Sequence, residues 1–439
     1  MTAARLSLRL CLRNLNAMIK LRNRLSFLFT DELLKHTAIL FAGMMVVNVC
    51  NLVYQMAVSR AFRKTPEEYA LLAAFLGVLA IISYPLSTLT TGLSHYSSLL
   101  QQEGRVGDVK RLLRKWLILT SVPAFLLGAA IVVFNGPVAG YLNLNRLAPV
   151  IIAGAVLPAL FWLPVLGGAA QGLQLFGWSS LSNITGSMLR LFLGAGFVWF
   201  LYPACGWAML GHSAGIYLSA AVLTTGLFLV LRGKTATGVP LPSMRFYLLQ
   251  SVFVQTAFAV LMNADVILVK HYLPDNTEFA FAATLSRTVA FLPMAVAMAM
   301  FPKVVSAGGM TAEHRKIFLR SFGFTALCVT AAAVCCLIFP RLLLHILFGR
   351  YSEVMVQLTR LMALAMSASA LLNVVVQFLL AQRRFKETVA VVVACFLYLL
   401  SVHLFHDTVW QIAIASGVFN VVALLAGLWV IVGVNSKSQ

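Results

Sequence analysis

A chain of 439 residues with 61% hydrophobic and 10% charged side chains, and a mean hydropathy of +0.91, lacks the polar surface a soluble protein of this length needs. Its 33 Lys and Arg against 13 Asp and Glu leave a net charge of +20. Because the basic residues lie between apolar segments and not on one face, they exclude nucleic acid as the partner. They read instead as topology signals and contacts to anionic membrane lipids in a polytopic membrane protein.

In chain order, residues 1–35 come first as a basic amphipathic leader on the cytoplasmic side. Arg5, Arg9 and Arg13 recur at helical spacing among Leu6, Leu8, Leu10 and Leu12, with Lys20, Arg22 and Arg24 following. Charge interrupts the apolar content too often for a signal-peptide core. The stretch reads either as a helix lying on the leaflet or as a poorly ordered segment that fixes orientation. Twelve apolar stretches long enough to cross a bilayer then follow, at 36–58, 69–92, 116–134, 148–170, 181–201, 213–231, 248–270, 279–301, 317–339, 355–381, 386–404 and 410–434. They predict an all-α protein with an N-terminal six-helix lobe at 36–231, a cytoplasmic linker at 232–247, a C-terminal six-helix lobe at 248–434 and a cytoplasmic tail at 435–439.

Loop charge supports that count. With both termini cytoplasmic, 23 Lys and Arg fall in inside loops and 7 in outside loops, while Arg190, Arg287 and Arg360 fall within spans. One missed helix would invert every loop after it and destroy this bias. The loops are too short for a nucleotide-binding domain, and Gly167-Gly168 and Gly308-Gly309 lack a phosphate-loop pattern. The 7 Cys form no metal-like spacing, so no cofactor and no metal site is expected, nor an enzyme. The stretch from Asn51 to Tyr84-Pro85 can be laid beside Asn263 to Leu292-Pro293, each followed by a basic loop, which suggests parallel six-span repeats.

Polar residues within the spans carry the functional expectation. Asp265 is the one acid predicted inside the membrane, where ionised groups face a cavity or a partner. It reads either as a cavity-lining or coupling residue, or as a structural partner of Lys270 or Arg287. Arg287, Arg190 and Arg360 offer guanidinium forks suited to a phosphate, or else form structural salt bridges. Asn373 and Gln377, four residues apart, share one helix face and suit either a cavity or helix-to-helix hydrogen bonding. Pro85, Pro293 and Pro302 are expected to shape their helices.

From Asn263 to Pro302 the segments NADVILVKHYLP, LSRTVAFLP and MFPKVV resemble the seventh and eighth helices of oligosaccharide and polysaccharide flippases. Those proteins belong to the multidrug/oligosaccharidyl-lipid/polysaccharide exporter superfamily. The resemblance implies a V-shaped pair of lobes that alternates access to the two sides of a bacterial inner membrane. It also implies a polyprenyl-diphosphate-linked glycan as cargo, with polysaccharide polymerase and glycosyltransferase machinery as partners. Cycling would draw on a proton or sodium gradient or on the membrane potential. The alternative within the same superfamily is a cation-coupled multidrug or metabolite exporter.

Overall fold

The computed structural model describes residues 32–144, 146–237, 245–290, 312–382 and 384–435. Most of the leader and tail, part of the 232–247 linker, and Pro293 and Pro302 lie outside the described residues. The chain is a multi-pass helical membrane protein. Its long helices are α1 (Glu32–Ala61), α2 (Pro66–Gln102), α3 (Val106–Val133), α4 (Ala148–Gly172), α5 (Phe176–Phe200), α6 (Cys205–Leu231), α7 (Arg245–Tyr272), α8 (described over 278–290), α9 (Ala312–Ile338), α10 (Glu353–Ala381), α11 (Val389–Leu404) and α12 (Val409–Asn435). Among the described residues eleven helices are long and apolar enough to cross a membrane. The predicted span 279–301 is described only to residue 290.

Large apolar side chains on the outside of the bundle mark the lipid-facing surface. Val122, Phe125 and Leu126 on α3, Phe396 on α11 and Trp429 on α12 are all exposed. In water such a surface would drive aggregation; in a bilayer it costs nothing, and backbone polar groups are satisfied within each helix.

Three differences from the sequence reading have physical causes. The basic stretch 103–115 is not a loop: only 103–105 separate α2 from α3. Lys110, Arg111, Arg114 and Lys115 are good helix formers, and buried Val109 and Leu112 keep an apolar face running through them. Asp108, in the first turn, accepts from Arg105 Nε at 3.0 Å, Arg111 Nη1 at 3.3 Å and Thr237 N at 3.1 Å. That tethers the chain leaving α6 to the α2–α3 corner. Second, α5 is not regular, because Arg190–Ala195 form a π-helical turn within it. Third, two short helices, Asn135–Tyr141 and Pro340–Phe348, lie outside the predicted spans. Pro340 starts the second, where a missing N–H costs no hydrogen bond.

The core has three parts. One lies among α7 and α9–α12 with the start of α8, built on Phe258, Phe279, Phe378 and Tyr398. A second lies among α2, α3, α4 and α6 around Leu93, Leu112 and Val165. The third joins the two halves of the chain at the α1–α2 end, where Tyr54, Phe62 and Tyr69 pack with Phe281, Leu344 and Phe348. There the Tyr69 ring stacks on Phe281 at 4.3 Å and meets Phe348 edge-on at 5.8 Å. Arg60 Nη2 donates to Ile346 O at 2.7 Å across the same seam. Aromatic stacking and burial thus close the bundle at this end.

Candidate functional site

Helices α2 and α7 cross closely beside Asp265. A Cβ at Gly77 would stand 3.2 Å from Asn263 O and 3.0 Å from Val266 Cγ2, tighter than ordinary packing allows, so glycine at 77 lets the first half approach this turn of α7. Tyr84, one residue before Pro85, donates to Met262 Sδ at 3.3 Å and sets its ring edge-on to Phe258 at 5.6 Å. Pro85 lies buried inside α2 and lacks the N–H an α-helix uses there. Thr88 Oγ1 donates to Pro85 O at 2.7 Å, a local bond that steadies the interrupted turn.

The α7–α8 corner brings the second partner in. Asn276 Oδ1 accepts from Phe279 N at 3.2 Å and so caps the start of α8. Arg287, on α8, then directs Nη2 onto Asp265 Oδ1 in a direct ion pair. Asp265 is fully buried and the Arg287 side chain is only 13% exposed. The same carboxylate oxygen accepts from Val266 N at 2.8 Å, and Arg287 Nη2 also reaches Met262 O at 3.5 Å. Of the two partners open to Asp265 from the sequence, the structure selects Arg287; Lys270 Nζ instead bonds Pro274 O at 3.4 Å.

Half of that pair remains unsatisfied. Among the described residues Asp265 Oδ2 and Arg287 Nε are buried without a hydrogen-bond partner, as are Tyr398 OH on α11, Asn420 Oδ1 and Ser416 Oγ on α12, and Gln255 Oε1 on α7. Asn420 is oriented by its amide nitrogen, which donates to Leu261 O at 3.1 Å and Ser416 O at 2.8 Å. Buried oxygens left unpaired are costly, and these lie on helices of the second half, Tyr398 near enough to Asp265 to feel its charge. Such a set, a carboxylate already balanced by one guanidinium beside neutral oxygens, suits at most a proton or a monovalent cation that competes with Arg287. Among the described residues no group of three or more His, Cys, Asp or Glu is placed to hold a metal ion.

The other sequence candidates disperse. Arg190 Nη1 bonds Asn51 Oδ1 at 3.2 Å and its guanidinium lies 4.2 Å over the Tyr54 ring. Tyr54 OH in turn donates to Ala208 O at 3.2 Å. That places Arg190 in the first half, between α1, α5 and α6. A side chain at Gly211 on α6 would collide with the Gly194 backbone, so the close α5–α6 crossing holds the arginine against α1. Arg360 is exposed and donates from Nε to Leu337 O at 3.0 Å, on the flank where α10 meets α9. Asn373 is buried, and Gln377 Nε2 reaches its Oδ1 at 3.5 Å, so these two satisfy one another along α10. The three arginines therefore occupy three separate places. One is neutralised by an acid, one is held by an amide and a ring, and one lies at the periphery because its helix face turns outward. Tyr398, Asn420 and Gln255 were missed. Their only signal is that each is an isolated polar residue in an apolar span.

No protein-family description matches the sequence, and no curated protein matches it. Solved structures do. An inward-facing multidrug resistance MATE family transporter of the MOP superfamily superposes with a TM-score of 0.70 at 13% identity, covering 92% of this chain and 99% of that one. The chain shares the fold of this transporter. The lipid II flippase MurJ, in an inward closed conformation, matches with a TM-score of 0.66 at 10% identity over 89% of this chain and 87% of the flippase. The eukaryotic MATE transporter AtDTX14 matches with a TM-score of 0.63 at 16% identity over 92% of this chain and 96% of its own. The architecture is thus the V-shaped helical bundle of these transporters, at sequence identities that speak for the fold alone.

Proposed function

We propose that this protein is a cation-coupled exporter of organic solutes working by alternating access, with Asp265 as the coupling carboxylate. The observation that carries this reading is the half-satisfied pair. Asp265 gives one oxygen to Arg287 and leaves the other, with Tyr398 OH and Asn420 Oδ1, without a partner among the described residues. A proton or sodium ion arriving at Asp265 competes with Arg287 for the same negative charge. Loading therefore loosens the α7–α8 contact, and unloading restores it. A ligand shifts a conformational equilibrium only through such a difference in binding between states. In this reading the molecule has twelve spans in two six-helix lobes, 36–231 and 248–434, with both termini cytoplasmic in a bacterial inner membrane.

The flippase reading, with a polyprenyl-diphosphate-linked glycan as cargo and glycan-assembling enzymes as partners, draws support from the likeness to MurJ and from the net charge of +20. It is the weaker of the two. A diphosphate calls for guanidinium groups free to bind on one cavity, whereas Arg287, Arg190 and Arg360 already have partners in three separate places. The test is transport in proteoliposomes under an imposed proton or sodium gradient. Wild type is expected to drive efflux of a cationic dye, and Asp265→Asn, correctly inserted, to lose the gradient dependence. Flipping of undecaprenyl-diphosphate oligosaccharide without any dye transport would overturn the exporter reading in favour of the flippase.

A further inference from the structure

A cavity of about 610 Å³ lies at the α1–α2 end of the bundle, away from Asp265. Four charged side chains line it: Glu67 and Glu68 from the start of α2, Arg146 from the turn before α4, and Lys270 from the last turn of α7. Tyr202 and Trp207 supply an aromatic wall. Its volume is that of a site for a small organic molecule or a headgroup.

The charges on this cavity are balanced and yet unpaired. Among the described residues no ion pair joins any of the four to another. Lys270 is 8% exposed, and its single hydrogen bond, 3.4 Å to Pro274 O, leaves an ammonium with donors to spare. Arg146 lies over the Tyr202 ring at 5.4 Å, and Glu68 Oε2 is fixed by Cys205 N at 2.6 Å. Thr65 Oγ1, also on the wall, is buried without a partner. Asp275, Glu67 and Glu68 act on the Lys270 ammonium across space without a direct ion pair, so the cavity presents both signs of charge to a ligand that carries both. Beside the cavity Trp199, Phe200 and Tyr202 are exposed in succession. Aromatic residues gather at the headgroup level of a bilayer, which puts the cavity within reach of lipid.

We propose that this cavity binds the zwitterionic headgroup of a phosphatidylethanolamine-type lipid, its phosphate on Lys270 and Arg146 and its ammonium on Glu67. The site spans both halves of the chain, since Lys270 comes from α7 and the other three charges from the first half. The same seam is stapled nearby: Asn143 Nδ2 donates to His271 O at 3.0 Å, and the Tyr141 ring stacks on His271 at 3.8 Å. A bound headgroup therefore adds to the contacts that hold this end shut and favours that state over one opened there.

The full chain in nanodiscs of phosphatidylglycerol, with or without phosphatidylethanolamine, tests this by native mass spectrometry and thermal unfolding. Wild type is expected to retain phosphatidylethanolamine in preference to phosphatidylglycerol and to melt higher in its presence. Lys270→Gln and Glu67→Gln should each weaken retention at least roughly tenfold, the size of one lost charge-assisted bond. Lys270→Arg should keep it, as should Arg341→Gln at an exposed pair off the cavity wall. Should Lys270→Gln fail to fold, the exposed Arg146→Gln carries the same expectation. Equal retention of both lipids by wild type, or unchanged retention in the Lys270 and Glu67 variants, would overturn the proposal. Full competition by soluble O-phosphoethanolamine would reassign the site to a free solute and so overturn the lipid assignment.

Discussion

Arg287 and Arg190 both lie on helices of the bundle, yet Arg287 is held by a carboxylate, Asp265, and Arg190 by an amide, Asn51, and a ring, Tyr54. The first unit is electrically neutral and becomes charged when a cation joins it. The second, among the described residues, has no acid against it. Only the first can therefore change its net charge by loading and unloading a cation. In the proposed mechanism the two halves of the chain therefore carry arginines with different duties: a switchable contact between α7 and α8, and a fixed brace between α1 and α5.

The sharpest way to break this comparison is Asp265→Ala. It leaves Arg287 buried without its counter-charge and is expected to cost about 3–5 kcal/mol of stability, read as a lower thermal midpoint in nanodiscs. The double variant Asp265→Ala with Arg287→Met should recover most of that stability while remaining unable to couple transport to a gradient. If the double variant still couples, the carboxylate is a packing element only. Arg190→Met should cost less, about 1–2 kcal/mol for a hydrogen bond and a cation–π contact, because no opposite charge is left behind. A loss as large as that of Asp265→Ala would mean that an anion accompanies Arg190. Tyr398→Phe removes a hydroxyl without a partner among the described residues and should change stability by less than about 0.5 kcal/mol, yet raise the cation concentration needed to drive transport. Smallest of all, Arg341→Gln breaks the exposed pair with Glu353, which spans 2.7 Å with both side chains more than 60% exposed. Its effect on the thermal midpoint should be within error, since exposed pairs contribute about 0–1 kcal/mol.

The membrane class and the helix succession were legible because both follow from composition and from runs of about 20 apolar residues, a requirement the bilayer imposes locally. The choice of Arg287 for Asp265 was half legible: a buried acid needs a cation, and Lys270 and Arg287 were the near candidates. Distinguishing them needs the α7–α8 corner, which turns α8 back along α7. Arg360 illustrates the limit. Within its span it looks like Arg287, but the direction a helix face takes is set by partners far away in sequence. Tyr398 and Asn420 were hidden for the same reason, since an isolated polar residue in an apolar helix has one appearance whether it packs or binds. The π-turn in α5 has no compositional mark at all.

That turn has a consequence for how α5 tolerates change in length. The residues Arg190–Ala195 hold one residue more per turn than an α-helix does. In genetic terms it is a single-codon insertion absorbed on the spot, with the faces before and after it kept in phase. Removing one codon among Leu191 to Leu193 should restore an unbroken α-helix and leave Trp199 and Phe200 pointing where they now point. The same deletion in the middle of α10 would rotate everything beyond it by about 100° and turn its buried face to lipid. Among the described residues α5 is the span built to survive a frame-preserving deletion.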